Sequence, residues 1–154
     1  MIDAADGEVY EKYADELVRF ATMLAGPSDA EDLVAGAVVR VFSSPAWRGV
    51  SNQRAYLYRS VLSEAASVAR SARRRVGREQ RVGLWAGADS VPGLHPEVVA
   101  AARSLSVRQR AVVFMTFWMD ASSDEIANVL SLSVRTVQRE LEAGLRRMER
   151  HLDD

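Results

Sequence analysis

Apolar residues recur at every third or fourth position through most of the chain, a spacing that predicts amphipathic α-helices. In the N-terminal half it predicts a helix over about 4–25, which a Gly-Pro pair ends. A second helix is expected to begin at a Ser28/Glu31 capping box, and a long helix covers about 53–75. No segment alternates long enough to predict a strand. The pattern therefore predicts an all-α fold.

The C-terminal half repeats the same helix-start signals. Pro96 suits the first position of a short helix, and Ser106 with Gln109 forms a capping box for the next one. Ser122 and Glu125 form another capping box, which opens a short one-sided helix. Four helices are therefore expected after residue 95, the last of them following a turn at residues 131–133.

Residues 122–150 have the pattern of a helix-turn-helix. The second helix of this motif is expected to pack on an apolar seam formed by Val134, Val137, Leu141, Leu145 and Met148. Its opposite face carries Arg135, Gln138 and Arg139 at i, i+3 and i+4. Side chains with forked donors at this spacing can reach base edges or phosphates in a major groove. An ordinary helical hairpin with a solvated arginine face is the alternative interpretation.

Composition narrows the chemistry that the chain can support. It has no cysteine and two histidines, so a disulfide framework, a metal site or a histidine triad is not expected, and no cofactor is predicted. The N-terminus lacks a basic segment followed by an apolar one, and no run of about 18 apolar residues occurs. We therefore expect a cytoplasmic protein without membrane insertion. The carboxylates form no recognisable pocket motif, so we do not expect an enzyme.

Charge is distributed unevenly although the net charge is only −1. Residues 1–32 contain nine acidic and two basic side chains, whereas residues 67–81 contain six arginines and one glutamate. This polarity suits a protein with two partners, because an acidic surface attracts a basic protein and a basic surface attracts phosphate. Solvated faces of a helical bundle would explain it equally well.

A glycine-rich segment divides the helical pattern. Residues 82–95, VGLWAGADSVPGLH, contain three glycines and one proline and have no sustained period. We therefore expect two small helical domains, at 1–80 and 96–154, joined by a short flexible linker at 81–95.

Three blocks together resemble the extracytoplasmic-function sigma factors, the two-domain initiation subunits of bacterial RNA polymerase within the sigma-70 family. Residues 29–42 (DAEDLVAGAVVRVF) resemble the family's D-x-E-D-L-V-Q-E helix. Residues 54–75 (RAYLYRSVLSEAASVARSARRR) resemble its A-W-L-Y-R helix with a basic end. Residues 106–141 resemble its L-P-x-x-x-R-x-V-F and S-x-x-E-I-A helices. The resemblance implies an alternative sigma factor, with sigma domain 2 at 1–80 and sigma domain 4 at 96–154.

The resemblance also implies roles for individual residues. Contact with core RNA polymerase would involve Asp29, Glu31, Asp32, Leu33 and Arg40. Contact with the minus-ten element of promoter DNA would involve Trp47, Arg48, Tyr56, Arg59, Ser63, Arg70, Arg73 and Arg74. Contact with the minus-thirty-five element would involve Ser133, Val134, Arg135, Thr136, Gln138 and Arg139. It further implies an anti-sigma factor as a partner and a monomer when free of polymerase.

Several positions depart from the family pattern. The Gln-Glu pair at the end of the family's D-x-E-D-L-V-Q-E pattern is replaced here by Ala35-Gly36, which suggests weaker or differently shaped polymerase docking. Ser63 replaces an asparagine of the base pocket, and Glu140 stands where an arginine is common. A carboxylate at residue 140 would be repelled by phosphate unless a cation neutralises it.

Two alternative functions follow from these residues. A helix-turn-helix regulator could act without polymerase, as a dimer on palindromic half-sites about one helical turn apart. A degenerate sigma-like chain could serve only as an interaction module, a possibility that the departures motivate.

Overall fold

The computed structural model describes residues 2–76 and 95–153, and these residues are almost entirely helical. The N-terminal half contains α1 (Ala4–Ala25), α2 (Ala30–Ser43), a 3₁₀ turn (Pro45–Gly49) and α3 (Gln53–Val76). The C-terminal half contains α4 (Pro96–Ala102), α5 (Val107–Phe117), α6 (Ser123–Leu130) and α7 (Val134–Asp153). No strand occurs among the described residues, so the all-α prediction is confirmed.

The helix starts follow local capping for the most part. The capping boxes at Ser106 and Ser122 form as predicted, each with reciprocal side-chain to backbone hydrogen bonds. The predicted box at Ser28 does not form, because α2 begins one residue later than that box requires. Asp29 is its N-cap and makes no side-chain capping hydrogen bond. An unpredicted box opens α1, where Asp3 and Asp6 cap each other's backbone N–H groups.

In the N-terminal half, α1, α2 and α3 pack mutually around apolar side chains. Phe20 of α1 and Tyr58 of α3 lie at its centre, with ring centroids 4.8 Å apart. Gly26, with φ 91°, ends α1 in a conformation that favours glycine, as the Gly-Pro signal predicts.

In the C-terminal half, α7 packs along α4, α5 and α6. The seam of α7 differs from the predicted one, because Leu145 is exposed while Gly144 is buried. A Cβ atom at Gly144 would lie 3.3 Å from Val113 Cγ2, so the glycine lets α7 approach α5 closely. Val137 and Met148 are buried as predicted.

The two halves pack against each other, which the sequence analysis did not predict. α1 contacts α5, and α3 contacts both α5 and α6. The rings of Phe20 and Phe114 lie 6.0 Å apart across this boundary, and the apolar cores of the two halves are continuous.

The predicted linker at 81–95 lies outside the described residues except for His95, which precedes α4. Among the residues described, no helix has both the length and the apolar character that crossing a membrane requires.

Candidate nucleic-acid and polymerase surfaces

A cavity of about 290 Å³ opens between α2 and α3. Tyr56, Arg59 and Ser63, which the sequence analysis assigned to minus-ten contacts, all line it. They lie on one face of α3 because their spacing is three and four residues. The Arg59 guanidinium lies 5.6 Å from the Tyr56 ring centroid. A cavity with an aromatic ring, a cation and a hydroxyl has the chemistry that holds an unstacked base.

Two charged side chains also line this cavity. Arg40 of α2 lies 2.7 Å from Glu64 of α3, measured from Nη1 to Oε2. The contact is an ion pair without the alignment of a hydrogen bond. Arg40, which was predicted to contact polymerase, has a largely exposed side chain that lines the cavity. The Glu64 carboxylate beside it was not singled out from the sequence.

Trp47 occupies a different position from the one that base stacking requires. Its side chain is 3% exposed, packs 5.2 Å from the Phe42 ring and donates its indole N–H to Asp6 at 2.9 Å. Trp47 was predicted to contact the minus-ten element, but in this structure its side chain is buried and presents no open face on which a base could stack. The burial of Trp47 against the N-terminal half anchors the 3₁₀ turn.

The neighbouring Arg48 is exposed and paired. Its Nη1 atom donates to Asp3 Oδ2 at 3.1 Å. A backbone hydrogen bond from Asp6 and the Arg48 guanidinium together hold the pKa of Asp3 below its usual value. The start of α1 thus organises the turn that carries Trp47 and Arg48, a role that the sequence analysis missed.

The predicted polymerase-docking helix presents its acidic start to solvent. Glu31 and Asp32 are exposed, Asp29 is half-buried, and the acids lie where they also favour the helix dipole. Leu33 is 6% exposed and belongs to the apolar core, so its side chain does not form part of this surface and that assignment is corrected. The Ala35-Gly36 departure lies on the exposed side, and a Cβ atom at Gly36 would meet nothing within 4 Å.

The basic end of α3 is exposed. Arg70, Arg73 and Arg74 have side chains in solvent within the described part of the helix. Cations in this arrangement can bind phosphates without reading sequence.

The helix-turn-helix forms from α6 and α7, with Ser131 in the left-handed conformation between them. Arg135, Gln138 and Arg139 are exposed on α7. Ser133 caps α7 by accepting from the Thr136 N–H at 3.0 Å, and their hydroxyls lie 2.8 Å apart. These two hydroxyls therefore orient the start of the helix, and Val134 is half-buried beside them.

A buried arginine joins the two halves of the molecule. Arg110 of α5 is 9% exposed, donates to the Leu24 carbonyl of α1, and donates through Nε and Nη2 to the Leu105 carbonyl at 3.3 and 3.2 Å. Burial lowers the pKa of Arg110 to about 10, so the side chain remains cationic at neutral pH. Arg110 lies in the segment 106–141 that resembles the family, but its role could not be predicted from the sequence.

Comparison with known proteins agrees with this architecture. The family model for Sigma-70 region 2 matches residues 9–75, and the model for Sigma-70, region 4, matches residues 96–148. An RNA polymerase sigma-E factor of Streptomyces avermitilis is 31% identical over 163 residues, covering 97% of this chain and 89% of the relative. The chain belongs to the extracytoplasmic-function sigma factors of the sigma-70 family. As such it is an alternative sigma factor, which binds core RNA polymerase and promoter DNA and directs transcription initiation.

Two further similarities span nearly all of this chain. An RNA polymerase sigma-E factor of Streptomyces antibioticus is 27% identical over 154 residues, covering 95% of this chain and 83% of the relative. A solved structure of the sigma factor RpoE in complex with the anti-sigma factor NepR from Bartonella quintana has a TM-score of 0.72 at 19% identity, with 96% of each chain covered. At that identity the structural likeness concerns the fold.

The structure also explains the Glu140 departure in this sigma factor. Glu140 is on the α5 side of α7, with its side chain 21% exposed. Its carboxylate lies 3.7 Å from Arg108 and within 3.5 Å of the Gln109 amide. The sequence predicts that this carboxylate repels phosphate unless a cation neutralises it, and Arg108 of α5 is such a cation. Glu142 is solvent-exposed and pairs with Arg146 one turn later.

Proposed function

We propose that the sigma factor docks on core polymerase through the exposed acids at the start of α2, chiefly Glu31 and Asp32. Their side chains are exposed and carry negative charge, which suits a basic partner surface. Double charge reversal, Glu31→Lys with Asp32→Lys, should weaken binding to core polymerase by at least about tenfold.

Charge reversal at an unrelated acidic site provides the control. Glu8 and Glu11 are exposed on α1, so Glu8→Lys with Glu11→Lys makes the same change in net charge. Equal losses for both double variants in a quantitative pull-down would show that net charge alone acts and would refute docking through α2.

We propose that the cavity between α2 and α3 accepts an unstacked base of the minus-ten element. The observation that carries this proposal is the convergence of Tyr56, Arg59 and Ser63 on one cavity between α2 and α3. Tyr56→Ala should reduce promoter opening by the holoenzyme, since stacking contributes about 1–3 kcal/mol per base.

Permanganate footprinting of the promoter would measure that opening. Tyr10→Ala is the control, because Tyr10 is exposed on α1 and outside the cavity. Unchanged opening by the Tyr56→Ala holoenzyme would contradict base capture.

We propose that the start of α7 reads the minus-thirty-five element through Arg135, Gln138 and Arg139. Arg139→Ala should cost about 1–3 kcal/mol of promoter affinity if it contacts a base edge, and should reduce discrimination between promoters. Arg146→Ala, on the later part of α7, serves as the control. An equal loss on all DNA sequences would assign Arg139 to phosphate instead.

The remaining expectations belong to the same proposal. The sigma factor acts in the cytoplasm, where polymerase is, and contributes no catalytic chemistry of its own. An anti-sigma partner is proposed because the RpoE chain of similar fold was solved with one. A palindromic footprint by the sigma factor alone would instead favour a dimeric regulator.

A further inference from the structure

Glu64 brings a negative charge to the cavity between α2 and α3. Among the described residues that line this cavity it is the one acid, and it lies with Arg40, Tyr56, Arg59 and two serines. Its side chain is 17% exposed, and its Oε2 atom is buried and accepts no hydrogen bond from the described residues. Since a carboxylate can accept up to about four hydrogen bonds, Glu64 has acceptor sites left for a ligand.

Arg40 compensates the charge of Glu64 without using up these acceptor sites. Its Nη1 atom lies 2.7 Å from Glu64 Oε2, and the contact is an ion pair without hydrogen-bond alignment. The Arg40 side chain is 72% exposed, so water screens the pair. The ion pair therefore allows a carboxylate to lie where DNA is proposed to bind, and it leaves Glu64 to accept from a further donor.

A carboxylate distinguishes sharply between the groups of a nucleotide. It repels phosphate oxygens and the carbonyl oxygens of bases, and it accepts hydrogen bonds from amino groups. Adenine, cytosine and guanine each carry an exocyclic amino group, whereas thymine carries none. The Watson–Crick edge of thymine presents two carbonyl oxygens on either side of a single N–H. Because an unstacked base is read through this edge, a carboxylate beside it disfavours thymine.

The position of Glu64 along α3 suits contact with the edge of a stacked base. Tyr56, Ser60 and Glu64 follow one another at intervals of four residues, which places them on one face of the helix. At 1.5 Å per residue, Tyr56 and Glu64 are roughly 12 Å apart along the helix axis. A base stacked on the Tyr56 ring can therefore lie between the two side chains, with its edge towards the carboxylate.

We propose that Glu64 determines which base the cavity accepts. It accepts a hydrogen bond from the exocyclic amino group of the unstacked minus-ten base and excludes thymine. This inference rests on the proposed capture of a base by the cavity. Tyr56 supplies stacking, which tolerates any base, and Glu64 supplies the selection that stacking lacks.

Selection of promoters from random DNA tests the base preference. Holoenzyme selects open complexes from a pool of duplexes with a random core, and sequencing gives the preference at each minus-ten position. With the wild-type sigma factor we expect a position that excludes thymine. Glu64→Gln should accept thymine there at least about fivefold more often, because an amide can donate to a carbonyl oxygen. Glu11→Gln, at an exposed acid of α1, should match the wild type.

Removal of the amino group from the base tests the contact without changing the protein. The selected promoter carries either the natural base or its analogue without the amino group, which is purine for adenine, inosine for guanine or pyrimidin-2-one for cytosine. The analogue should reduce opening by wild-type holoenzyme at least about fivefold, measured by permanganate reactivity of neighbouring thymines. Opening by Glu64→Ala holoenzyme should be insensitive to the analogue. Both holoenzymes meet the same altered duplex, so the difference between them reports the contact.

Three outcomes would overturn the proposal. One is an unchanged base preference in Glu64→Gln, and another is an equal effect of the analogue on wild-type and Glu64→Ala holoenzymes. The third is a loss in Glu64→Gln that is the same for every base and equals the loss in Arg40→Gln, because Glu64 would then serve the ion pair between α2 and α3 alone.

Tyr56→Ala separates failure of this inference from failure of base capture. Normal promoter opening by Tyr56→Ala holoenzyme would refute base capture and the role of Glu64 with it. Reduced opening by Tyr56→Ala, together with an analogue that has no effect on the wild type, would leave base capture intact and overturn the role of Glu64.

Discussion

At the scale of single residues, Tyr58 connects burial to a measurable pH dependence. Its hydroxyl donates to Glu16 Oε1 at 2.8 Å, and Arg54 binds the same oxygen at 2.6 Å. Burial, followed by the interaction with Glu16, raises the pKa of Tyr58 well above its ordinary value of 10.0. Below about pH 10 the Tyr58 phenol is protonated in both the folded and the unfolded chain. Above about pH 10 the unfolded chain loses this proton first, because its tyrosine has the ordinary pKa, so the stability of the folded chain falls as pH rises.

The variant Tyr58→Phe separates these effects. At neutral pH it should lower the free energy of unfolding by about 1 kcal/mol, because one hydrogen bond is lost. Above about pH 10 the wild-type chain should lose up to about 1.4 kcal/mol per pH unit through this group, and the variant should not. Urea unfolding between about pH 7 and 11 measures both. Tyr10→Phe, at an exposed tyrosine, is the control, and parallel curves for wild type and Tyr58→Phe would contradict the assignment.

Glu140 gives a second prediction at this scale. Glu140→Arg, the change towards the residue common in the family, would place two cations together by bringing a second guanidinium beside Arg108. We expect a loss of about 1 kcal/mol in unfolding free energy, as the pair is only partly buried.

Glu142→Arg is the matched control for that change. Its side chain is 72% exposed and pairs with Arg146 one turn away, so its reversal should cost about 0.3–0.5 kcal/mol. Equal losses for the two variants in urea unfolding would mean that Glu140 has no special contact.

The exposure of the candidate site residues was predictable from the sequence only in part. Arg135 and Arg139 are exposed as their spacing requires, whereas Trp47 and Leu33 are buried. The family pattern names positions without stating whether a side chain faces a partner or the core. For Trp47 the deciding partner is Asp6, 41 residues earlier, and no local pattern contains that contact.

At the scale of helices, the turn of the helix-turn-helix stores a small strain. Ser131 has φ 56° and ψ 46°, a left-handed conformation that disfavours residues with a Cβ atom. Ser131→Gly should therefore raise the free energy of unfolding by about 0.5–1 kcal/mol, after the entropy of the more flexible unfolded chain is included.

A glycine placed in regular helix should have the opposite effect. Glu149 is exposed within α7, and Glu149→Gly should destabilise the chain by about 0.5–1 kcal/mol. Thermal unfolding of both variants tests the difference, and a loss of stability in Ser131→Gly would show that the left-handed turn is not strained for serine.

Helix limits were largely predictable because capping joins residues only three apart. The boxes at Ser106 and Ser122 follow the S-x-x-E/Q pattern and form. The Asp3/Asp6 box was missed because two aspartates do not match that pattern, although they satisfy the same backbone N–H groups. Ser28 matches the pattern, but Asp29 is the N-cap of α2.

At the scale of the whole molecule, packing between the halves could not be predicted. The contacts that join them include Arg59 with Val129 and Arg110 with Leu24, which are 70 and 86 residues apart in the chain. Periodicity identifies the apolar face of each helix, but does not state which other helix will cover it. The glycine-rich segment predicts a division into two units, whereas their association required the structure.

The distribution of charge over the molecule gives the final prediction. Arg73 and Arg74 are exposed at the end of α3, on the same helix as the cavity, and each phosphate that they neutralise releases counterions. Arg73→Ala with Arg74→Ala should weaken holoenzyme binding to all promoters alike and reduce the salt slope of log K by about 1.4–1.8 for two phosphate contacts. Arg19→Ala with Arg150→Ala removes two exposed arginines outside the proposed DNA contacts and should leave the slope unchanged. Because both double variants change net charge equally, an equal change in slope would show that overall charge acts, rather than a phosphate site on α3. Filter binding over a series of salt concentrations measures the slope for each double variant.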